Sequence, residues 1–135
     1  MLGGQGVLLR GPSGAGKSDL ALRLMDGGAI LVADDRVNLT RAKDSVHMSA
    51  PANLAGKLEI RGLGIIQVPC ALSAPLTLVC DLVPADQIDR IPEIATKSVL
   101  NQLISSMEID SHTQSAAAKV RYGLKVARDE IRLIT

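Results

Sequence analysis

The stretch from Gly11 to Ser18 constrains the fold of this chain more than any other, because it has the spacing G-x-x-x-x-G-K-S of a phosphate-binding loop. The glycines of such a loop allow successive N–H groups to turn inward and form a nest for phosphate oxygens. The lysine reaches the β- and γ-phosphates, and the serine reaches Mg²⁺. The sequence therefore predicts a nucleotide site formed by Gly11, Pro12, Ser13, Gly14, Ala15, Gly16, Lys17 and Ser18.

A phosphate-binding loop needs a strand before it and a helix after it, and the flanking residues predict both. Residues 6–10 form a short apolar run, as expected for a buried strand. Residues 19–25 place apolar side chains at helical spacing, and Gly27 and Gly28 then predict the end of the helix. A strand, a phosphate loop and a helix in this order predict an α/β fold.

Composition limits the classes of protein to which this chain can belong. The 135 residues are predicted to form a single domain over residues 1–135, and 47% hydrophobic and 21% charged residues indicate a globular chain. A net charge of +1 gives no large basic face, so neither nucleic acid nor an anionic membrane is expected as a partner. No apolar run approaches the length of a membrane span, and we expect a cytoplasmic protein.

An apolar run followed by two acids is the second informative segment. Residues 29–33 predict a strand buried on both faces, and Asp34 and Asp35 follow it directly. In phosphate-loop proteins, a carboxylate at such a strand end organises Mg²⁺. Neighbouring residues on an extended chain point in opposite directions, so one acid could face the metal and the other the acceptor hydroxyl. The sequence leaves open which acid has which role.

Two strand-like runs surround Gly62 and Gly64 in residues 58–68. Glu59 and Arg61 share one face if the first run is extended. They could form an ion pair on the strand surface, or a metal-binding carboxylate beside a phosphate-binding guanidinium. Their spacing does not decide between the two.

The C-terminal half is less informative about function. Residues 76–83 predict a strand, residues 86–92 a polar turn or short helix, and residues 98–109 either a helix or two short strands. Ser115 is predicted to cap a terminal helix. The apolar face of that helix would consist of Ala117, Val120, Leu124, Ala127 and Ile131.

Three segments together resemble the catalytic domain of HPr kinase/phosphorylase, the bacterial enzyme that phosphorylates a serine of the phosphocarrier protein HPr. They are residues 11–18, residues 31–37 (LVADDRV) and residues 59–68 (EIRGLGIIQV). The third segment is close to the signature of that family and is far more specific than the phosphate loop. The resemblance covers roughly residues 6–92, and the chain is similar in size to the short form of some proteobacteria.

The resemblance implies a P-loop kinase domain related in fold to phosphoenolpyruvate carboxykinase, with a mixed β-sheet, a phosphate-loop helix and a C-terminal helix. It implies ATP and Mg²⁺ as cofactors, an HPr-type protein of the phosphotransferase system as substrate, and a role in regulating carbohydrate metabolism. A homo-oligomer is also implied, as is the reverse phosphorolysis of seryl-phosphorylated HPr. The longer members carry a Pro- and Arg-rich segment tied to that reverse reaction, which residues 115–121 do not match.

The resemblance also implies roles for individual residues. Lys17 matches the phosphate-loop lysine, and Ser18 and Glu59 match metal-binding positions, with Asp34 as a further metal candidate. Asp35, with Asp34 beside it, matches the carboxylates that take the serine proton. Arg90 resembles the catalytic arginine of the family, and Arg61 is a candidate for binding phosphate or substrate. The family's catalytic histidine would fall before Met1.

Two other functions fit a phosphate loop. One is a P-loop kinase that acts on a small metabolite, for which an acceptor pocket and an Arg-rich lid would be expected. The other is a regulatory module that binds ATP without transferring phosphate. Phosphotransfer to HPr would separate both from the HPr kinase function.

Overall fold

The computed structural model describes residues 1–93 and 95–134. Two α-helices, eight strands and two short 3₁₀ turns, Ala52–Leu54 and Ala85–Gln87, make up its regular structure. The helices are α1 (Lys17–Asp26) and α2 (Ala116–Ala127), neither of which has the length and apolarity to cross a membrane. The strands are β1 (Gly6–Arg10), β2 (Asn38–Arg41), β3 (Val46–Ser49), β4 (Lys57–Ile60), β5 (Gly64–Gln67), β6 (Ala74–Leu82), β7 (Ala95–Val99) and β8 (Gln102–Ile109).

Strand β6 organises a mixed six-stranded sheet. It pairs in parallel with β1 along one edge and with β8 along the other, while its first two residues pair antiparallel with β3. The β2–β3 hairpin and the antiparallel strand β7 extend the sheet at its two ends. Because β1 and β8 run parallel to β6, the phosphate loop after β1 and the loop after β8 emerge at the same edge of the sheet.

Two apolar clusters stabilise the sheet. One packs both helices against the second half of β6 and includes the buried residues Leu20, Leu24, Leu78, Cys80, Leu82, Val120 and Leu124. The other joins the β2–β3 hairpin to β6, β7 and β8 and includes Val46, Met48, Leu76, Val79, Val99 and Ile104. The predicted strands at residues 6–10 and 76–83 and the predicted helix after the phosphate loop are therefore confirmed, and apolar burial accounts for them.

The predicted strand over residues 29–33 is wrong. Only Leu31 pairs there, in an isolated parallel bridge with Cys70. Its neighbour Ile30 exchanges backbone hydrogen bonds with Met1, so the segment bonds to irregular chain and not to a neighbouring strand. Leu31 and Val32 are buried, each 5% exposed. The apolar run therefore indicated burial correctly and secondary structure incorrectly.

In the C-terminal half, the structure decides between the two alternatives for residues 98–109 and corrects the predicted helix cap at Ser115. Residues 98–109 fall in the β7–β8 hairpin, whose two turn residues, Leu100 and Asn101, have φ angles of 48° and 64° as a type I′ turn requires. The predicted terminal helix is confirmed as α2. However, the Ser115 side chain makes no capping hydrogen bond, and Ile131 lies beyond the end of the helix.

Candidate active site

The phosphate loop connects β1 to α1 with two glycines in the left-handed region. Gly14 has a φ angle of 84° and Gly16 one of 90°, a region that side chains disfavour. The Ala15 N–H donates to the Pro12 carbonyl at 3.0 Å, which closes the turn. The loop thus leads directly into the N-terminus of α1, whose free N–H groups attract anions.

The Lys17 side chain folds back over the start of the phosphate loop. Its Nζ donates to the Gly11 carbonyl at 2.5 Å and to the Pro12 carbonyl at 3.3 Å. An ammonium group satisfied by carbonyl oxygens at the mouth of the nest can exchange them for phosphate oxygens without crossing an apolar barrier. The predicted role of Lys17 in phosphate binding is compatible with this position.

Asp34 links the three sequence segments that carried the prediction. The Ser18 hydroxyl donates to Asp34 Oδ1 at 2.8 Å, and the Glu59 backbone N–H donates to Asp34 Oδ2 at 3.2 Å. The phosphate loop, the acidic pair and strand β4 therefore meet at one carboxylate. This meeting does not depend on the absent strand at residues 29–33.

A tight turn separates the two acids. The Arg36 N–H donates to the Asp34 carbonyl at 2.7 Å, and Asp35 between them has a φ angle of 65°. Non-glycine residues in this region cost about 1–3 kcal/mol, although aspartate tolerates it better than most. As a result, Asp34 is half-buried against Ser18 and Glu59, whereas Asp35 and Arg36 are exposed.

Two cavities adjoin the acidic turn. An apolar cavity of about 150 Å³ lies between β1, α1 and residues 29–37 and ends at Lys17, Ser18, Asp34 and Asp35. An open basin of about 600 Å³ lies in front of the phosphate loop. The basin is lined by Leu8, Leu9, Arg10, Gly11, Lys17, Asp35, Arg36, Val37, Asn38 and Pro51. It is the opening through which an acceptor could reach Asp35.

A bidentate ion pair lies beside the start of the phosphate loop. Arg10 donates to Asp81 through Nε at 2.8 Å and through Nη2 at 3.1 Å, and these residues are partners in the β1–β6 register. The hydrogen bond from the guanidinium to Asp81 raises the pKa of Arg10 above its usual value, although partial burial acts in the opposite direction. Sequence analysis did not predict this pair. The sequence feature that could have indicated the pair is the single acid, Asp81, in the apolar run 76–83.

The opposite flank of the phosphate loop is held by the loop after β8. Ser111 is 3% exposed, and its hydroxyl donates to the Ala15 carbonyl. Arg23 of α1 donates to the Ser111 carbonyl, to the Thr113 carbonyl at 3.1 Å and to Asp19 at 3.1 Å. The contacts of Ser111 and Thr113 were not predicted from the sequence, because they join residues about ninety positions apart and have no local pattern.

Three predicted residues lie at the margin of this site. Glu59 reaches Asp34 through its backbone, and its side chain is exposed. Arg61 lies in the turn between β4 and β5, and among the described ion pairs there is none between Glu59 and Arg61. Arg90 is exposed in the irregular segment before β7, and it does not line either cavity. The predicted metal, substrate and catalytic roles of these side chains remain predictions.

The donor groups around Asp34 suit a hard cation. Ser18 and Asp34 offer hydroxyl and carboxylate oxygens, the ligand type that Mg²⁺ prefers. Among the described residues, no group of three or more His, Cys, Asp or Glu side chains forms a separate metal cage. Mg²⁺ is commonly bound by one or two protein oxygens together with substrate phosphates and water. The residues present therefore fit Mg²⁺ held jointly with a nucleotide.

A solved structure shares this architecture. The HPr(Ser) kinase/phosphatase from Coxiella burnetii aligns with a TM-score of 0.81 and 24% sequence identity, over 93% of this chain and 89% of that one. The α/β fold with a mixed sheet and a C-terminal helix is therefore confirmed.

Sequence comparison identifies the family. HPr kinase/phosphorylase from Clostridium tetani is 34% identical over 90% of this chain and 46% of its own length. HPr kinase/phosphorylase from Burkholderia cenocepacia is 39% identical over 78% of this chain and 36% of its own length. This chain thus spans less than half of these relatives. The family model described as HPr Serine kinase C-terminal domain matches residues 2–113, and the chain belongs to that family.

Proposed function

We propose that this chain is an ATP- and Mg²⁺-dependent kinase that phosphorylates a serine of an HPr-type phosphocarrier protein. The observation that carries the proposal is the position of Asp34, which joins Ser18 of the phosphate loop to the Glu59 backbone. The family and the names of its relatives support the choice of HPr as the acceptor. Through this substrate, the protein would regulate the phosphotransferase system and carbohydrate metabolism.

The phosphate loop would bind the triphosphate of ATP. Backbone N–H groups of residues 14–18 and the N-terminus of α1 offset its negative charge. Lys17 would leave the Gly11 carbonyl and pair with the β- and γ-phosphates. In phosphoryl transfer, positioning and charge neutralisation supply most of the catalysis, and this loop provides both.

Ser18 and Asp34 would hold Mg²⁺, with Glu59 as a further ligand candidate. The ion would neutralise charge on the β- and γ-phosphate oxygens when bound. The Ser18 hydroxyl already donates to Asp34, so its lone pairs remain available to a cation. The backbone bond from Glu59 fixes the second oxygen of Asp34.

Asp35 would accept the proton of the acceptor serine. It is exposed, lines the open basin and stands one residue from the metal candidate Asp34. A general base must lie within hydrogen-bond reach of the hydroxyl that it deprotonates, and the basin gives an acceptor loop that access. Arg90 and Arg61 are proposed to add positive charge at the transferring phosphate and at the acceptor.

The test is incubation of the purified protein with MgATP and HPr, followed by intact-mass measurement of HPr. We expect a gain of one phosphate that disappears when the acceptor serine of HPr is replaced by alanine. Tight ATP binding without transfer would instead support the ATP-sensing module. Transfer to a small metabolite but not to HPr would support the small-molecule kinase.

The reverse reaction is tested with the same materials. Seryl-phosphorylated HPr is incubated with inorganic phosphate and Mg²⁺, and loss of the phosphate from HPr is measured. We propose that phosphorolysis uses the same Asp35, which would return the proton to the serine oxygen. Unchanged phospho-HPr would limit the protein to the kinase direction.

We also infer a homo-oligomer in the cytoplasm, where ATP and phosphotransferase carriers are found. Leu63 and Ile65 of the β4–β5 hairpin are 69% and 73% exposed, and paired exposed aliphatic side chains often mark an interface. Light scattering during size-exclusion chromatography tests this. Replacing both residues with serine should lower the measured mass if the hairpin forms the interface, and an unchanged monomer mass in both forms would contradict the inference.

A further inference from the structure

The loop after β8 contacts the phosphate loop where neither cavity reaches. Its histidine, His112, is exposed, and its ring atom Cε1 lies 3.5 Å from the position that a Cβ on Gly16 would take. A side chain at position 16 would touch the imidazole, so His112 lies beside the phosphate loop. The His112 backbone N–H donates to Asp110 Oδ1 at 2.9 Å, which fixes the start of the turn.

The position of His112 is set by its neighbour in the chain. Ser111 is buried and bonded to the Ala15 carbonyl, one residue before Gly16. Arg23 holds the carbonyls of Ser111 and Thr113 on either side of His112. Because Arg23 belongs to α1, the histidine loop and the phosphate-loop helix are tied together as one unit.

The direction of a bound nucleotide follows from the location of the basin. In the proposed function, the acceptor would reach the terminal phosphate through the basin, which is lined by Gly11, Lys17 and Asp35. A nucleotide with its terminal phosphate facing that basin must extend its nucleoside end away from it. Gly16 and His112 line neither cavity, so His112 lies outside the basin by which the acceptor would arrive.

The composition of the chain makes the imidazole at this place significant. The sequence has no Trp or Phe and one tyrosine, Tyr122, which lies in α2 and is 60% exposed. His112 is thus the ring that the structure puts beside the phosphate loop. An imidazole offers a flat face on which a purine can stack and a ring N–H that can donate to a sugar or base.

We propose that His112 is a nucleotide-binding residue that contacts the base and sugar of ATP. This inference rests on the proposed use of ATP at the phosphate loop, and it assigns the nucleoside end of that site. Ser111 and Arg23 act as positioning residues for it. The side chain that recognises the nucleoside then belongs to the loop after β8 and not to the acidic turn.

The experiment measures binding of MgATP and of magnesium tripolyphosphate by isothermal titration calorimetry. Tripolyphosphate has the phosphates of ATP and lacks its nucleoside. For His112→Ala we expect about tenfold weaker ATP binding, the effect of losing one stacking contact, and tripolyphosphate affinity unchanged to within about twofold. The matched control is His47→Ala, which removes the same kind of side chain from a different place. His47 lies on β3, and its ring contacts Ser45 at 3.0 Å.

Two results would overturn the inference. Equal weakening of both ligands by His112→Ala would mean that the histidine supports the phosphate nest and not the nucleoside. Unchanged affinity for both would mean that it contacts no part of the nucleotide. Since His112 is exposed, thermal unfolding of the variant should match wild type. The binding assay contains no HPr, so its result can be interpreted even if the protein does not transfer phosphate to HPr.

Discussion

The two flanks of the phosphate loop differ in how the protein holds them. The acidic flank, formed by Asp34, Asp35, Arg36 and the start of β4, follows an irregular segment. It exposes several charged side chains, among them Asp35, whose backbone is in the left-handed region. The anchored flank, formed by residues 110–113 and Arg23, contains a buried serine and a guanidinium bonded to two carbonyls. Both flanks contact the same eight-residue loop.

This difference matches what each flank would do in phosphoryl transfer. A general base and the metal carboxylate have to meet an acceptor and an ion that arrive from solvent, so their side chains stay accessible. The loop that receives the phosphates has to keep its N–H groups in place, and buried hydrogen bonds across its back provide that rigidity. Substitutions on the two flanks should therefore change different kinetic constants.

Lys17→Ala should have the largest effect, because Lys17 lies between the flanks and in the proposed function would bind the transferred phosphate directly. We expect phosphotransfer to fall by at least about 100-fold, as when one charge-stabilising donor is removed from an active site. The measurement is the initial rate of HPr phosphorylation. Lys119→Ala on the exposed side of α2 is the matched control, and an equal loss there would indicate a nonspecific charge effect.

Substitution of the two acids should separate their roles within the acidic flank. Asp35→Asn should lower kcat by about 100-fold or more while ATP affinity stays close to wild type, since a general base contributes to the chemical step. Asp34→Asn should instead raise the Mg²⁺ concentration needed for half-maximal activity. Steady-state kinetics at varied Mg²⁺ distinguishes them. If Asp35→Asn left kcat unchanged, Asp34 would become the candidate base.

Ser111→Ala should act through the anchored flank. The variant leaves the half-buried Ala15 carbonyl without its donor, which costs about 1–3 kcal/mol of unfolding free energy. We expect a lower melting temperature and a higher KM for ATP, with kcat affected less. The control is Ser115→Ala, because the Ser115 side chain is exposed and makes no capping bond. A fall in kcat alone would place Ser111 in the chemistry and remove the contrast between the flanks.

The smallest effect concerns Cys80, on the strand β6 that lies between β1 and β8. Burial raises the pKa of the Cys80 thiol from 9.0 to about 12, and the nearby Asp81 adds to the shift. The folded form therefore disfavours the thiolate. The protonated Cys80 thiol contributes to the free energy of unfolding below about pH 9, and this contribution is lost as the pH rises towards 12. Denaturant unfolding at increasing pH should show this decline, and Cys80→Ala should reduce it.

The two cysteines provide a check at neutral pH. Cys70 is half-buried and Cys80 is buried, and both are free thiols. Because the thiolate is the reactive form, we expect Cys70 to be alkylated first and Cys80 only on unfolding. Peptide mapping after brief iodoacetamide treatment measures this order. Rapid labelling of Cys80 in the native protein would contradict its burial in the core of the sheet.

The sequence predicted the acidic flank far better than the anchored one, for a physical reason. Phosphate loops and acidic pairs are local motifs, so the meeting of Ser18 with Asp34 followed from spacing and family resemblance. The bonds from Arg23 and Ser111 join segments far apart in the chain and depend on the parallel arrangement of β1, β6 and β8. No local pattern encodes such contacts.

The errors in predicting secondary structure have a similar origin. An apolar run over residues 29–33 reports burial, and it cannot report whether a hydrogen-bonding strand lies beside it. Here residues 30 and 31 bond to Met1, Cys70 and Ala71, so no ladder forms. For residues 98–109, where the sequence left a helix and two short strands open, periodicity does not show that Leu100 and Asn101 turn the chain. Strand β4, in which Leu58 is buried between exposed neighbours, was predicted correctly.

A crystal structure with Mg²⁺ and a non-hydrolysable ATP analogue tests the central claim most directly. We predict that the triphosphate lies in the nest of residues 11–18, that the metal lies beside Ser18 and Asp34, and that Asp35 faces the terminal phosphate from the basin. A terminal phosphate directed away from Asp34 and Asp35, or a nucleotide bound elsewhere on the protein, would contradict the account.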